Sequence, residues 1–141
     1  MSYDPANNER MLEMRAEKVA RIARQLPPLE VTGADRGDLL VLGWGGTQGA
    51  IAAAVERARA EGVALSCAHL RHLNPFPPNL GDVLGRFERV LVPELNGGQL
   101  SLLLRARFLI DAQSMTKQRG QPFKVAEIRD HIDALLRDRE D

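Results

Sequence analysis

Two short apolar runs, each followed at once by a glycine-rich turn, are the clearest pattern in this sequence. The first run covers residues 39–42 and leads into the turn at 43–49, Gly-Trp-Gly-Gly-Thr-Gln-Gly. The second covers residues 90–92 and leads into 93–99, Pro-Glu-Leu-Asn-Gly-Gly-Gln. Apolar runs without alternation indicate strands buried on both faces, and glycine permits a tight turn from such a strand into a helix. The pattern is typical of a parallel α/β sheet.

The remaining elements follow from apolar spacing and from the positions of proline and glycine. Apolar residues three, four and seven positions apart predict helices over about 8–25, 48–60, 98–110 and 124–137. Asn79 is the expected N-cap of a shorter helix that ends near residue 87. Strands are predicted over 29–32, 39–44, 63–70, 90–92 and 112–116. Strands that alternate with helices predict one α/β domain, with a mostly parallel sheet covered on both faces.

Composition limits the partners and sites to be expected. The 141 residues carry 19 basic and 19 acidic side chains, and no basic stripe with interleaved aromatics exists, so no nucleic-acid partner is expected. No apolar run approaches about 18 residues, so no membrane span is expected. The single cysteine, Cys67, cannot form an internal disulfide, an iron–sulfur site or a structural zinc site alone. We expect a buried core cysteine and a cytoplasmic protein.

The carboxyl ends of the two buried strands are expected to flank the crevice at which open α/β sheets bind ligands. In the first turn the glycine spacing does not fit a dinucleotide fingerprint, so a tight turn with Thr47 as capping hydroxyl is favoured. Exposed amides at a helix N-terminus also attract anions. In the second turn Glu94 either accepts a hydrogen bond from a ligand or partner, or belongs to a helix-capping turn and pairs with an arginine. The crevice candidates are Gly45, Gly46, Thr47, Gln48, Glu94, Asn96, Gly98 and Gln99.

The helix predicted over 98–110 is apolar around nearly its whole circumference, interrupted by Arg105 and Arg107. A surface helix of a lone domain needs an apolar stripe on one side only, so this helix is expected to pack against the sheet and against another subunit or domain. The alternative is a helix covered by the terminal helices of the same chain. The interface candidates are Asn74, Phe76, Leu100, Leu103, Leu104, Arg107 and Phe108.

No catalytic residue and no metal ligand is predicted. His69, His72 and His131 do not have metal-ligand spacing, and ordinary structural roles are expected for them.

Five collinear segments resemble the C-terminal part of the α subunit of 2-oxoacid:ferredoxin oxidoreductases, particularly the 2-oxoglutarate enzymes. They cover residues 41–51, 69–77, 79–81, 90–100 and 120–123, and the segment from Ser2 resembles the connector before that domain. Family members usually carry a serine at the position of Gly46. The family's pyrimidine-binding domain has no counterpart before Leu39, so the chain resembles the last domain only, as a fragment or a separately encoded piece.

The resemblance implies a transketolase C-terminal-domain-like fold, which is a three-layer α/β/α arrangement. Its five-stranded sheet is mostly parallel, with one antiparallel edge strand. The implied strand order across the sheet is 29–31, 64–69, 39–43, 89–92 and 113–116. The implied division is a connector helix at 1–28 and the domain at 29–141.

The resemblance also implies a function. The parent enzyme uses thiamine diphosphate and Mg²⁺ to decarboxylate a 2-oxoacid oxidatively, passes electrons through [4Fe-4S] clusters to ferredoxin, and transfers the acyl group to coenzyme A. Gly37-Asp38 and Gly81-Asp82 lack the following glycine of a thiamine diphosphate motif, and the cluster cysteines are absent. The implied role is therefore a non-catalytic domain that binds no cofactor alone and assembles with the β subunit and the remaining α-subunit domains.

Three points stay open at the level of sequence. The domain could belong to a transketolase or to a dehydrogenase E1 β-type protein. It could also be a free-standing module that binds a nucleotide or another anion. Whether Glu94 or Asn96 contacts coenzyme A is not decided by the sequence.

Overall fold

The computed structural model describes residues 4–137, which form five α-helices around one five-stranded sheet. The helices and strands in chain order are α1 (Pro5–Ala23), β1 (Val31–Thr32), β2 (Gly37–Trp44), α2 (Gln48–Ala60), β3 (Ser66–Leu70), α3 (Leu80–Leu84), β4 (Phe87–Glu94), α4 (Gln99–Phe108), β5 (Ala112–Thr116) and α5 (Val125–Arg137).

The strand order across the sheet is β1-β3-β2-β4-β5. The two-residue edge strand β1 runs antiparallel to β3, and every other neighbouring pair is parallel. This order and the single antiparallel edge confirm the predicted fold class. The order reverses at β2, because the chain continues to β3 on one side of it and to β4 on the other.

Each face of the sheet carries its own apolar core. Leu40 and Leu42 of β2 point to the face covered by α3 and α4, whereas Leu39 and Val41 point to the face covered by α2 and α5. Side chains alternate between faces along a strand, so a continuous apolar run is what a strand buried on both sides requires. Cys67 lies in the second core, as predicted, and burial raises the pKa of its thiol.

The boundaries of α3 and β4 differ from the prediction. The helix that was expected to continue to residue 87 ends at Leu84, because Gly85 is its C-cap and Phe87 begins β4. Asn79 precedes α3 but does not cap it with its side chain. The Asn79 amide group instead bonds the N–H of Leu29 at 2.7 Å and the C=O of Leu29 at 3.0 Å, which ties α3 to the segment before β1.

The first helix stands apart from both cores. Asp4 caps it, because its carboxylate accepts a hydrogen bond from the N–H of Ala6 at 3.1 Å. No residue of α1 is buried, and its large apolar side chains, Met11, Leu12, Met14 and Ile22, are between 40% and 54% exposed. Within residues 4–137 no helix combines the length and apolar character that a membrane crossing requires.

Candidate functional site

The sheet opens between β2 and β4 at the carboxyl ends of these strands. The pairing of β2 with β4 ends at Val41 opposite Leu91. By contrast, β2 stays paired with β3 as far as Trp44, and β4 stays paired with β5 as far as Glu94. The chain then enters α2 on one face and α4 on the other. The two glycine turns meet at this opening, since a Cβ built on Gly46 would lie 3.9 Å from Cδ1 of Leu95.

Glu94 ends β4 and caps α4 with a fully buried carboxylate, which is 0% exposed. The carboxylate accepts hydrogen bonds from the N–H of Leu100 at 2.8 Å, the N–H of Ser101 at 2.9 Å and the Ser101 hydroxyl at 2.6 Å. A negative charge at a helix N-terminus is also favoured by the helix dipole. Of the two alternatives for Glu94, the structure has the helix-capping turn, but no arginine among residues 4–137 pairs with the carboxylate. The carboxylate faces α4 and is not accessible from the opening of the sheet in this structure.

Asn96 completes the turn after β4. Its Oδ1 accepts hydrogen bonds from the N–H of Gly98 at 2.8 Å and of Gln99 at 3.3 Å. Gly98 has φ +95°, and a Cβ there would come within 3.1 Å of the Ser114 hydroxyl, so this position requires glycine. The turn therefore satisfies the first N–H groups of α4 with its own side chains.

The turn after β2 does not cap its helix in the way that the turn after β4 does. Thr47 is buried and occupies the N-cap position of α2, but its hydroxyl does not cap that helix. The hydroxyl donates to the C=O of Trp44 at 2.9 Å and accepts from the N–H of Trp44 at 3.2 Å. The predicted capping role of Thr47 is therefore wrong, because the hydroxyl closes the preceding turn. Gly45, Gly46 and Gln48 are exposed beside it.

Gly43 lets three side chains meet behind this turn. A Cβ there would lie 2.5 Å from Cδ1 of Ile51, 2.9 Å from Oγ1 of Thr47 and 3.2 Å from Nδ1 of His69. That Nδ1 is buried and has no hydrogen-bond partner in the part of the chain that the structure describes. Burial, and secondly the charge of Arg71, lowers the pKa of His69, which favours the neutral imidazole. The sequence pattern alone did not predict this contact. It arises from the strand register, which places Gly43 of β2 opposite His69 of β3.

The predicted interface helix, α4, has an inner and an outer face. Leu100 and Leu104 pack into the core that lies on this face of the sheet, so their assignment to an interface is corrected. Leu103 and Arg107 are exposed on the outer face. The terminal helix α5 packs with α2 on the opposite face of the sheet, so it does not cover α4.

The other predicted interface residues lie at one end of α4. The rings of Phe76 and Phe108 pack against each other, with centroids 5.9 Å apart and planes tilted by 51°, and both side chains are half-buried. Phe108 also covers Gly81, where a Cβ would lie 3.2 Å from its ring. Asn74, which precedes a cis peptide bond to Pro75, is exposed.

A separate hollow of about 400 Å³ lies beside the edge strand β1, and its lining includes Gln48, His69, Arg71 and His72. Gln48 is its one residue from the predicted crevice set. Among residues 4–137 no three His, Cys, Asp or Glu side chains are grouped so that they could hold a metal ion.

The similarity of this chain to known proteins extends over nearly its whole length. No family model matches it. Over 139 residues it is 46% identical to the 2-oxoglutarate oxidoreductase subunit KorA of Mycobacterium tuberculosis, a match that covers 96% of this chain and 21% of KorA. It is 32% identical to subunit alpha of 2-oxoacid:ferredoxin oxidoreductase 2 of Aeropyrum pernix, with 94% of this chain and 22% of that protein covered.

Solved structures give the same match. The 2-oxoglutarate:ferredoxin oxidoreductase from Magnetococcus marinus, with 2-oxoglutarate, coenzyme A and succinyl-CoA bound, aligns with a TM-score of 0.86 and 30% identity. The alignment covers 94% of this chain and 24% of that chain. The chain therefore spans about one fifth to one quarter of the length of the relatives it matches.

Proposed function

Because the chain is homologous to one domain of the α subunits of 2-oxoacid:ferredoxin oxidoreductases, we propose that it serves as that domain in an enzyme of this class. The observation that carries the proposal is the match to KorA, which extends over 96% of the chain at 46% identity and favours the 2-oxoglutarate type. The enzyme would decarboxylate a 2-oxoacid oxidatively, form an acyl-CoA and reduce ferredoxin.

The role of this domain is assembly and support of the active site, without a catalytic residue of its own. The polar groups at the opening of the sheet support this role, because the side-chain oxygens of Glu94, Asn96 and Thr47 form hydrogen bonds with neighbouring backbone groups. Gly45, Gly46 and Gln48 stay exposed there and can contact a neighbouring domain. Residues 1–28 would serve as the connector, which agrees with the absence of buried residues in α1.

The [4Fe-4S] clusters and the thiamine diphosphate of the whole enzyme would belong to its other domains. Cys67 is the only cysteine of the chain, so its residues do not fit a [4Fe-4S] cluster. The residues that follow Gly37-Asp38 and Gly81-Asp82 are leucine and valine, so neither pair fits a Gly-Asp-Gly site for thiamine diphosphate and Mg²⁺. Coenzyme A is bound in the Magnetococcus marinus relative. The proposed partners are the β subunit and the remaining α-subunit domains, with ferredoxin as electron acceptor, in the cytoplasm.

The test replaces the matched segment of Mycobacterium tuberculosis KorA by this chain and expresses the chimera with the β subunit. We expect the chimera to co-purify with the β subunit and to reduce ferredoxin when 2-oxoglutarate and coenzyme A are present. KorA without the segment is the control, and it should lose both properties. The 141-residue chain alone should be inactive.

The result that overturns the proposal is a chimera that behaves like KorA without the segment. Isothermal titration of the 141-residue chain with nucleotides and coenzyme A then tests the alternative of a free-standing anion-binding module. Heat of binding from the chain alone would favour that alternative.

A further inference from the structure

Leu109 ends α4 in a backbone conformation that leucine rarely adopts. Its φ of 54° and ψ of 40° are left-handed. Among residues 4–137 it is the only non-glycine residue with a positive φ, and the six other positions of this kind are glycines. A left-handed leucine is disfavoured because its Cβ crowds the following carbonyl oxygen. The Leu109 N–H closes α4 by donating to the C=O of Arg105 at 3.0 Å, but the residue is 90% exposed, so side-chain packing within residues 4–137 does not offset the remaining cost.

Leu109 extends an apolar strip along the outer face of α4. Leu102 is 68% exposed and Leu103 is 49% exposed, and the exposed Ala106 lies between them and Leu109. Residues three and four positions apart are neighbours on a helix surface, so Leu102 and Ala106 form one row, and Leu109 follows directly after the end of α4. Exposed apolar residues that lie together are typical of surfaces that contact another protein.

The charged side chains beside this apolar strip indicate which groups the complementary surface of a partner carries. Arg105 is already occupied, since it donates to the Asp111 carboxylate at 2.6 Å and to the C=O of Ala112 at 2.7 Å. Arg107 is exposed and makes no hydrogen bond or ion pair with residues 4–137. The complementary surface is therefore apolar at its centre and places a carboxylate opposite Arg107.

We infer that Leu102, Leu103, Ala106, Arg107 and Leu109 form a docking surface, with Leu109 as its anchor, and that another domain of the same α subunit occupies it. This inference rests on the proposed function. In the Magnetococcus marinus relative the match covers 24% of the chain, so about three quarters of that chain lies outside the matched domain and is covalently tethered to it. Tethering raises the effective concentration, so a contact surface of modest size is sufficient.

The experiment measures Leu109→Gly in two contexts, because the two effects have opposite sign. In the 141-residue chain, glycine relieves the left-handed conformation, and the midpoint of thermal unfolding should rise by about 3 °C. In the KorA chimera, the loss of the anchor should make the amides of α4 exchange with solvent about tenfold faster than in the unsubstituted chimera.

Arg107→Glu tests the charge separately. It should shift the midpoint of the 141-residue chain by less than about 1 °C, because Arg107 has no partner in the described residues. In the chimera it should accelerate amide exchange in α4. Arg86→Glu is the matched control, since Arg86 is also exposed and its side chain has no partner in residues 4–137, and it should change neither quantity.

An unchanged exchange rate of α4 in the Leu109→Gly chimera overturns the inference. An effect that appears only after the β subunit is added assigns the surface to that subunit and overturns the choice of occupant. Dimerisation of the 141-residue chain that Leu109→Gly abolishes would assign the surface to a second copy. The proposed function is judged independently by the assembly and activity of the unsubstituted chimera.

Discussion

The turns after β2 and β4 contain similar residues, yet they complete the following helix in different ways. After β4, the buried carboxylate of Glu94 and the amide of Asn96 accept hydrogen bonds from the first N–H groups of α4. After β2, the Thr47 hydroxyl bonds back to Trp44, and no side chain among residues 4–137 caps α2. One turn is therefore completed by its own residues, and the other leaves its helix without a side-chain cap.

This difference teaches where the opening of the sheet can make further contacts. In the turn after β4 the Glu94 carboxylate is fully buried against the start of α4, so it is not accessible to a ligand. The turn after β2 exposes Gly45, Gly46 and Gln48. Contacts between this edge and a neighbouring domain are therefore expected at the backbone of the turn after β2.

The largest effect is expected when the cap of α4 is removed. Glu94→Gln places an amide N–H₂ group opposite the N–H of Leu100 or of Ser101, so one donor loses its acceptor and the helix loses a negative charge. We expect the free energy of unfolding to fall by about 3 kcal/mol, measured by urea denaturation. Glu88→Gln is the control, because Glu88 is exposed on the same strand, and it should change the stability by less than about 0.5 kcal/mol. Equal effects of the two substitutions would contradict the capping role.

A smaller loss is expected from Gly43→Ala in the other turn. The new methyl group would overlap Cδ1 of Ile51 and crowd the Thr47 hydroxyl, so the packing behind the turn must shift. We expect a loss of about 2 kcal/mol by the same measurement. Gly49→Ala is the matched control, because nothing lies within 4 Å of its Cβ position in α2, and there alanine should stabilise the chain by about 0.5 kcal/mol. If Gly43→Ala behaves like Gly49→Ala, the close contact at Gly43 does not exist.

The sequence was sufficient for what depends on local periodicity. The run at 39–42 predicted a strand buried on both faces, and the strand order followed from the resemblance. The partners of individual polar groups could not be predicted in this way. Asn79 looks like a helix cap locally, but Leu29, which is fifty residues away in the chain, offers both an N–H and a C=O. Leu109 belongs to the apolar pattern of its helix, and its left-handed backbone became visible only in three dimensions.

The smallest effect is expected from His69 of β3, whose buried Nδ1 lies behind the turn after β2 and has no hydrogen-bond partner among residues 4–137. Burial lowers the pKa of His69 below its ordinary value of 6.5, so the unfolded chain binds a proton at a higher pH than the folded chain does. The stability that the neutral ring contributes is therefore fully present above pH 6.5 and is lost as the pH falls toward the folded pKa.

His69→Gln should reduce the loss of stability between pH 7.5 and pH 5.5, measured by urea denaturation at both values, because the titrating group is gone while a polar side chain remains. His72→Gln is the control on the neighbouring loop, since His72 is exposed, and this variant should keep the pH dependence of the parent chain. An unchanged pH dependence in His69→Gln would show that the acid sensitivity arises elsewhere.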